Sequence, residues 1–321
     1  MTQDVVIAID IGGTYTKYGF IDIKGNSYLE GTVNTFDHPD VDSYLDNLFK
    51  TIQKSLQSSG KEFNIRGIGV GAPNGNYYSG TIEYAPNLNW KEIIPLAELM
   101  KKFYDIPVVV TNDANAAALG EMMYGGARSM RDFIVITLGT GLGSGIVVNG
   151  NVVYGHDGFA GELGHIVAVD NGRQCGCGKR GCLETYASAS GIKRTVFELL
   201  ADCTEASDLR KFTFEDLTAK MISDAAGKGD KIALQAFEIT GKILGKNLAN
   251  AVAFSSPEAI FLFGGLAQAG DLIFEPTKKH MEKNLLKIFQ NKVKLLPSGL
   301  QDKNAAVLGA GGLIWNELTK Q

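Results

Sequence analysis

The hydrophobic positions of this chain fall into short apolar runs that alternate with longer stretches of helical spacing. Apolar runs at residues 5–11, 65–70, 107–111 and 133–138 predict strands. Apolar residues recur every three or four positions between Val41 and Leu56, which predicts an amphipathic helix. Further helices are predicted after Trp90 to about Tyr104, from Asn112 onwards, and at 188–200, 215–227, 231–254, 271–289 and 304–318, with strands near 260–264 and 292–296.

This alternation of strands and helices predicts an α/β protein with two domains and an interdomain cleft. The length of 321 residues agrees with about two domains, each large enough for its own core. We expect an N-terminal α/β domain at residues 1–115, joined by a C-terminal helix at 304–321. A larger C-terminal α/β domain is expected at residues 116–303.

Composition narrows the class of protein. Hydrophobic residues make up 45% and charged residues 21%, which is typical of a globular protein. A net charge of −4 and a pI of about 5.7 argue against a nucleic-acid partner. The first residues lack a basic segment and a long apolar run, and no apolar stretch has membrane-spanning length. We therefore expect a cytoplasmic protein with no membrane partner.

Residues 160–184 form a glycine-rich stretch that contains three of the four cysteines. Cys175, Cys177 and Cys182 follow His165, and three thiolates with one imidazole complete a tetrahedral zinc shell without an open position. A disulfide is a poorer interpretation, since neighbouring Cys175 and Cys177 pair badly and a third thiol would be left over. The stretch therefore predicts a structural zinc site, with unligated structural cysteines as the alternative.

Three polar side chains accompany this cysteine cluster. Glu162 and His165 are three residues apart and share one face of a helical turn. Glu184 follows Cys182 by two residues. Carboxylates accept hydrogen bonds from hydroxyl groups, so this set would suit recognition of a polyhydroxylated ligand. The alternative is that both glutamates are solvated surface acids.

Two glycine turns each join a pair of predicted strands. The first follows residues 5–11 and contains Asp10, Gly12, Gly13, Thr14 and Lys17; the second contains Gly139, Thr140 and Gly141 between 133–138 and 146–149. No helix follows either turn, which excludes a dinucleotide fingerprint, and the Walker Gly-Lys-Ser/Thr is absent. Backbone N–H groups in such turns can hold phosphate, and Asp10 could hold Mg²⁺ through water. Plain tight hairpins are the alternative.

Asp113 immediately follows a predicted strand, at or near the start of a helix. One interpretation is a general base that deprotonates an incoming hydroxyl, kept ionised by the helix dipole. The alternative is a simple N-cap, since Asp is a preferred capping residue.

Taken together, these motifs resemble the ROK family of bacterial sugar kinases and sugar-responsive repressors. The resemblance spans nearly the whole chain. It rests on Asp10-Ile-Gly-Gly-Thr14 with Lys17, Asn112-Asp113-Ala-Asn115, Leu138-Gly-Thr-Gly-Leu-Gly143, Gly161-Glu-Leu-Gly-His165 and Cys175-Gly-Cys-Gly-Lys-Arg-Gly-Cys-Leu-Glu184. It implies a two-domain actin-like ATPase (ribonuclease H-like) fold.

The resemblance also implies roles for individual residues. Asp113 would be the base and Asp10 would serve Mg²⁺. The sugar would be held by Asn112, Glu162, His165 and Glu184, with Asn87, Asn74 and Gly75 on other sugar-side loops. ATP would be held by Gly12, Gly13, Thr14, Lys17, Gly139, Thr140 and Gly141, with Gly264 and Gly265 near the adenosine. Two departures stand out: Leu266 where a third glycine is frequent, and Asn74 where glycine is frequent.

The reaction implied is transfer of the ATP γ-phosphoryl group to the C6 hydroxyl of a hexose. Glucose is favoured because Glu162, His165 and Glu184 resemble the set in the family's glucose kinases. Kinases for N-acetylmannosamine, N-acetylglucosamine, allose and fructose share these residues and remain alternatives. A sugar-sensing repressor is disfavoured, because Asp10 lies too close to Met1 for a preceding helix-turn-helix. The resemblance also implies a homodimer.

Overall fold

A computed structural model describes residues 2–300 and 304–320. Within them the strands are β1 (Gln3–Ile11), β2 (Tyr15–Ile21), β3 (Ser27–Asn34), β4 (Phe63–Gly71), β5 (Gly75–Asn76), β6 (Thr81–Glu83), β7 (Ile93–Ile94), β8 (Val108–Thr111), β9 (Phe133–Leu138), β10 (Leu142–Val148), β11 (Asn151–Val152), β12 (Ala259–Phe263) and β13 (Lys294–Pro297). The helices are α1 (Val41–Ser59), α2 (Leu96–Lys101), α3 (Asp113–Tyr124), α4 (Ala189–Asp202), α5 (Ala219–Gly227), α6 (Lys231–Ser255), α7 (Asp271–Asn284) and α8 (Ala305–Lys320). Among the described helices, none has both the length and the apolar character needed to cross a bilayer.

The chain folds into two compact units. The first comprises Met1–Met130, Asn151–Ala160 and Ser298–Gln321, and the second comprises Arg131–Gly150 and Gly161–Pro297. These bounds differ from the expected division at residues 115 and 116, which would cut through α3. Helix α3 stays whole in the first unit because it packs on α8, where Gly120 closely approaches Gly309.

The segment Asn151–Ala160 belongs to the first unit because side chains of that unit hold it. The rings of Tyr77 and Tyr154 stack with centroids 3.9 Å apart. The Asn76 side-chain amide donates to the carbonyl of Asp157 at 2.8 Å. No hydrophobic periodicity in the segment signals this attachment, because it depends on contacts with residues far away in the chain.

The first unit is built on a five-stranded sheet of order β3-β2-β1-β4-β8. Strand β1 pairs antiparallel with β2 and parallel with β4, and β4 pairs parallel with β8. The register places Asp10 beside Gly71 and Gly71 beside Thr111. Three strand ends therefore lie side by side, and the chain enters α3 directly after one of them.

The second unit repeats this arrangement with β10-β9-β12-β13. Strand β9 pairs antiparallel with β10 and parallel with β12, and β12 pairs parallel with β13. Both predicted strand–turn–strand hairpins are therefore present, each as the antiparallel pair beside parallel strands. The two units therefore share this strand pattern.

Helix α1 shows how local sequence determines these elements. The Asp40 side chain caps it by accepting from the backbone N–H of Ser43 at 2.7 Å, and the helix ends at Gly60 with φ 61°. The predicted apolar spacing is confirmed, because the buried residues are Tyr44, Leu45, Leu48, Phe49 and Ile52. These side chains join the hydrophobic core of the first unit.

Several predicted bounds were wrong where capping or a short strand intervened. The helix expected from Trp90 to Tyr104 is only α2, because β7 and Pro95 precede it. Helix α5 begins after Thr218, whose side chain accepts from Met221 N–H, and not at residue 215. Strands β3, β5, β6, β7 and β11 were not predicted, since most are too short or too polar for a clear alternation.

We expect Gly69→Ala to lower the free energy of unfolding by about 2–4 kcal/mol, because overpacking forces backbone to move. A Cβ at this β4 residue would lie 1.9 Å from the carbonyl oxygen of Ala310 in α8. Gly227→Ala in α5 is the control, since nothing lies within 4 Å of its Cβ position. Urea denaturation of both variants measures the effect. Equal stability of wild type and Gly69→Ala would contradict the close packing of α8 on β4.

Candidate active site

Asp10 lies at the end of β1, among charged neighbours of the first unit. It is directly opposite Lys17 on β2, and a Cβ at Gly71 would lie 4.0 Å from its Oδ1 and 3.8 Å from the Cα of Asp113. Burial raises the pKa of Asp10 to about 6, the charge of Asp113 adds to the rise, and Lys17 opposes it. Two acids that repel each other in this way would favour a cation between or beside them.

Asn112, and not Asp113, caps α3. The Asn112 Oδ1 accepts from the backbone N–H of Asn115 at 2.7 Å. Asp113 is the first helical residue, and its Oδ1 accepts from the N–H of Ala114 at 2.9 Å. The interpretation of Asp113 as a simple N-cap is therefore wrong, because the capping position is already filled.

The pKa of Asp113 is raised, whereas the helix dipole was expected to lower it and keep the carboxylate ionised. Asp113 is exposed to solvent, yet many protein atoms surround its carboxylate and displace water from it. The desolvation from this crowding raises the pKa of Asp113 and outweighs the backbone hydrogen bonds that lower it. A carboxylate with a raised pKa is a stronger base, which suits proton abstraction.

The first glycine turn is fixed by its own backbone. Gly12 N–H donates to the carbonyl of Tyr15 at 3.0 Å, and the carbonyl of Thr14 accepts from Thr35 N–H at 2.8 Å. A Cβ at Gly13 would lie 2.7 Å from the carbonyl oxygen of Asn87. The loop that carries exposed Asn87 therefore rests on the turn, which brings a residue expected for the sugar beside residues expected for phosphate.

The departure at Asn74 has a conformational cause. Asn74 adopts a φ of 51°, a left-handed conformation that glycine and asparagine tolerate best. Its side-chain amide donates to the carbonyl of Glu83 at 2.9 Å, which ties the loop to β6. A Cβ at the following Gly75 would lie 2.3 Å from the carbonyl oxygen of Thr111. This loop consequently abuts the end of β8, one residue before Asn112.

The structure brings together all four residues of the expected zinc site. The donor atoms of His165, Cys175, Cys177 and Cys182 lie within 4.8 Å of one another. Cys175 Sγ lies 3.7 Å from His165 Nδ1, and Cys177 Sγ lies 3.6 Å from Cys182 Sγ. Zn–S bonds of about 2.3 Å in a tetrahedron require donor separations of about 3.8 Å. The donor set fits zinc, and none of the four cysteines is in a disulfide.

Two 3-10 turns support the polar side chains beside this cluster. Leu163–His165 follows Glu162, and Leu183–Thr185 contains Glu184. The two turns are joined, since Leu183 N–H donates to the carbonyl of Ile166 at 3.0 Å. His165 N–H donates to the carbonyl of Glu162 at 3.1 Å, so these two residues bracket a single turn.

Glu184 contacts both the cluster and the second glycine turn. Its Oε1 lies 3.0 Å from Cys175 Sγ and 3.7 Å from His165 Nδ1. Its Oε2 accepts from Leu142 N–H at 3.4 Å and would lie 2.5 Å from a Cβ at Gly141. Gly141 is therefore required by packing against Glu184, whatever else it binds.

At Gly139 and Gly265, neither packing nor backbone conformation requires glycine. A Cβ would meet nothing within 4 Å at either position, and neither has a left-handed φ. Close approach of a ligand to the backbone would explain them. Gly264, by contrast, has a φ of 102° and lies against Leu138. At Leu266, where a third glycine is frequent in the family, the leucine side chain is buried in the core of the second unit.

Sequence reasoning did not single out Ser144 or Arg173. Buried Ser144 in β10 donates to the carbonyl of Gly161 and accepts from Leu163 N–H at 3.3 Å, which fixes the turn after Glu162. It stands in a Gly-Ser-Gly run that looks like a loop, so no signal marked it. Arg173 is a buried cation whose partners are up to 25 residues away.

Comparisons with known proteins agree with this geometry. A glucokinase from Halalkalibacterium halodurans is 36% identical over 320 residues, which cover 98% of this chain and 96% of that protein. A ROK family glucokinase from Streptomyces griseus, crystallised with glucose and AMPPNP, is similar with a TM-score of 0.81 and 32% identity, covering 96% and 98%. A xylose repressor from Caldicellulosiruptor bescii is 30% identical over 316 residues, 98% of this chain and 78% of the repressor.

The structural likeness confirms the predicted α/β fold of the actin-like ATPase type. In sequence, the chain matches the family model described as "ROK family" over residues 6–317, nearly its whole length. This chain therefore belongs to the ROK family.

Proposed function

We propose that this chain is an ATP-dependent sugar kinase that phosphorylates the C6 hydroxyl of glucose. The observation that carries the proposal is Asp113, an exposed carboxylate with a raised pKa that is not used for capping and lies beside Asp10. Full-length similarity to glucokinases supports the same function.

Asp113 would act as the general base. Its carboxylate accepts the proton of the C6 hydroxyl while the new O–P bond forms and the bond between the γ-phosphorus and the ADP oxygen breaks. Such proton transfer contributes about 10²–10⁴-fold to the rate. Asp113 can do this because Asn112 takes over the capping of α3, which leaves one Asp113 oxygen beyond the bond to Ala114.

Each unit, taken by itself, carries side chains that would bind and orient the sugar. On the second unit, Glu162, His165 and Glu184 would accept from or donate to ring hydroxyls, with His165 Nε2 available because Nδ1 faces the cysteines. On the first unit, Asn112 and Asn87 would contribute, and Asn74 with Gly75 would shape the neighbouring loop. Positioning of this kind supplies much of the acceleration in phosphoryl transfer.

Three groups are implied by this function. ATP would be held by Gly12, Gly13, Thr14 and Lys17 on the first unit and by Gly139, Thr140, Gly141, Gly264 and Gly265 on the second. The open Cβ positions at Gly139 and Gly265 support this assignment. Mg²⁺ would be held near Asp10 and neutralise developing charge on the phosphates. Structural Zn²⁺ would be held by His165, Cys175, Cys177 and Cys182, in agreement with their spacing.

The experiment that tests this function is sugar-dependent ADP release from MgATP. The panel comprises glucose, fructose, allose, N-acetylmannosamine and N-acetylglucosamine, and we expect the highest kcat/KM for glucose. A preference for another member would reassign the substrate within the same class. Similarity to a xylose repressor motivates a sugar sensor as the second candidate. Binding of a sugar without ADP release from any member of the panel would favour the sensor.

We further propose that the protein is a cytoplasmic homodimer. Free cysteines agree with a reducing compartment. Sedimentation velocity should give twice the chain mass of 34.5 kDa. A single species at the mass of one chain, across micromolar concentrations, would contradict the dimer.

Asp113→Ala should lower kcat at least about a hundredfold, because proton abstraction loses its base. Affinity for the sugar, measured by calorimetry, should change little. Asp105→Ala, at an exposed position that precedes β8 whereas Asp113 follows it, is the control and should retain full activity. Near-normal turnover of Asp113→Ala would remove this residue as the base.

Cys177→Ser should lose bound zinc and weaken sugar affinity through displacement of His165. Zinc content by elemental analysis should fall from one ion per chain to less than about one tenth, since a structural site needs all four ligands. Cys203→Ser is the matched control, because Cys203 lies outside the cluster. An unchanged sugar affinity in metal-free Cys177→Ser would show that the cluster does not support recognition.

A further inference from the structure

Arg173 is a buried cation in the second unit whose donors are all used. Its side chain is 8% exposed. The Nε donates to Glu198 Oε1 at 2.8 Å, and Nη2 donates to Glu198 Oε2 and to Thr195 Oγ1 at 2.9 Å. The Nη1 donates to the carbonyls of Thr185 at 2.6 Å and Gly191 at 3.0 Å. These contacts account for all five N–H groups of a guanidinium.

These contacts connect the turn that carries Glu184 to helix α4. Thr185 and Tyr186 directly follow Glu184, whereas Gly191, Thr195 and Glu198 lie on α4. The guanidinium also packs over the Tyr186 ring, 4.3 Å from its centroid. In addition, the backbone N–H of Arg173 donates to the Tyr186 hydroxyl at 3.0 Å. Two consecutive residues after Glu184 are thus held on one side chain.

We propose that Arg173 is a positioning residue that fixes Glu184 through α4, separately from the metal cluster. The proposal rests on the proposed function, in which Glu184 binds the sugar. Arg173 does not touch the sugar or the reacting atoms. It determines where the Glu184 carboxylate stands by holding the backbone that follows it.

The Arg173 side chain acts separately from the metal cluster because its hydrogen-bond partners lie outside the cluster. None of the Arg173 side-chain partners is His165, Cys175, Cys177 or Cys182. The backbone of Arg173 does meet the cysteine loop, since Gly181 N–H donates to the Arg173 carbonyl at 2.8 Å, but a side-chain substitution at Arg173 retains that carbonyl. The turn that contains Glu184 therefore has two supports: the backbone bond from Leu183 N–H to the carbonyl of Ile166 beside the metal cluster, and the Arg173 anchor on α4.

The partner geometry requires arginine and not merely a positive charge. A bidentate contact with Glu198, two carbonyls and a stacked ring need a planar group with five donors. Lysine offers three donors on a single atom and cannot satisfy them. Loss of part of this set would remove donors from the carbonyls of Thr185 and Gly191, whereas the exposed Glu198 carboxylate could still bind water.

The first experiment compares Arg173→Ala and Arg173→Lys with wild type. We expect both variants to retain one zinc per chain and to raise the sugar KM by about tenfold or more, with kcat changed less than about threefold. Arg194→Ala is the matched control, since within the described part of the chain the Arg194 side chain donates only to the carbonyl of Gln174, at 3.0 Å. A normal KM in both Arg173 variants, or full rescue by lysine, would overturn the proposal.

The second experiment is a double-mutant cycle with Cys177→Ser, read out as the sugar Kd. Two separate supports predict that the fold-changes of Arg173→Lys and Cys177→Ser multiply in the double variant. If Arg173 acted through the metal cluster, the double variant would bind no more weakly than Cys177→Ser. That result, or loss of zinc from Arg173→Lys, would overturn the separation.

Hydrogen exchange keeps the test independent of folding failure and of the proposed function. Faster exchange of the amides at residues 183–187 in zinc-loaded Arg173→Lys, with the rest of the protein unchanged, supports the anchor. Unchanged exchange there overturns it. If Arg173→Ala does not fold, the lysine variant carries the test. If wild type phosphorylates no sugar, the proposed function fails while the exchange result still decides the role of Arg173.

Discussion

Parallel pairing of β1, β4 and β8 is the constraint on which the proposed chemistry of the first unit depends. Side-by-side strand ends place Asp10, Gly71 and Thr111 in one row, and the chain turns into α3 immediately afterwards. Parallel strands point the same way, so their carboxyl ends collect loops and helix starts at one edge. Asp10 and Asp113 become neighbours for this reason, although about a hundred residues separate them in the chain.

The proximity of these two acids has an electrostatic cost that fits a functional site. Burial and the charge of Asp113 raise the pKa of Asp10, and crowding raises the pKa of Asp113. Under the proposed function, one carboxylate would serve a metal ion while the other would remove a proton, which would explain why two acids stand together here.

In the second unit, the polar side chains expected to bind the sugar lie on short irregular turns and not at strand ends. Two 3-10 turns of three residues cannot be rigid on their own, because each makes few backbone hydrogen bonds. The cysteine cluster, Ser144 and Arg173 supply the missing support. Glu184 contacts both the cluster and the turn that contains Gly141, so it links the expected sugar side to the expected phosphate side of this unit.

The sequence by itself determined the elements whose signal is local. The spacing in α1, the two glycine hairpins and the ligand set of His165, Cys175, Cys177 and Cys182 could be read directly, because neighbouring residues specify them. Only the tertiary structure decided that Asn112 caps α3, that Asn151–Ala160 belongs to the first unit, and that Arg173 holds the Glu184 turn. Capping geometry depends on one backbone torsion, and the other two depend on contacts between distant segments. Periodicity and spacing carry no information about such contacts, which exist only once the chain has folded.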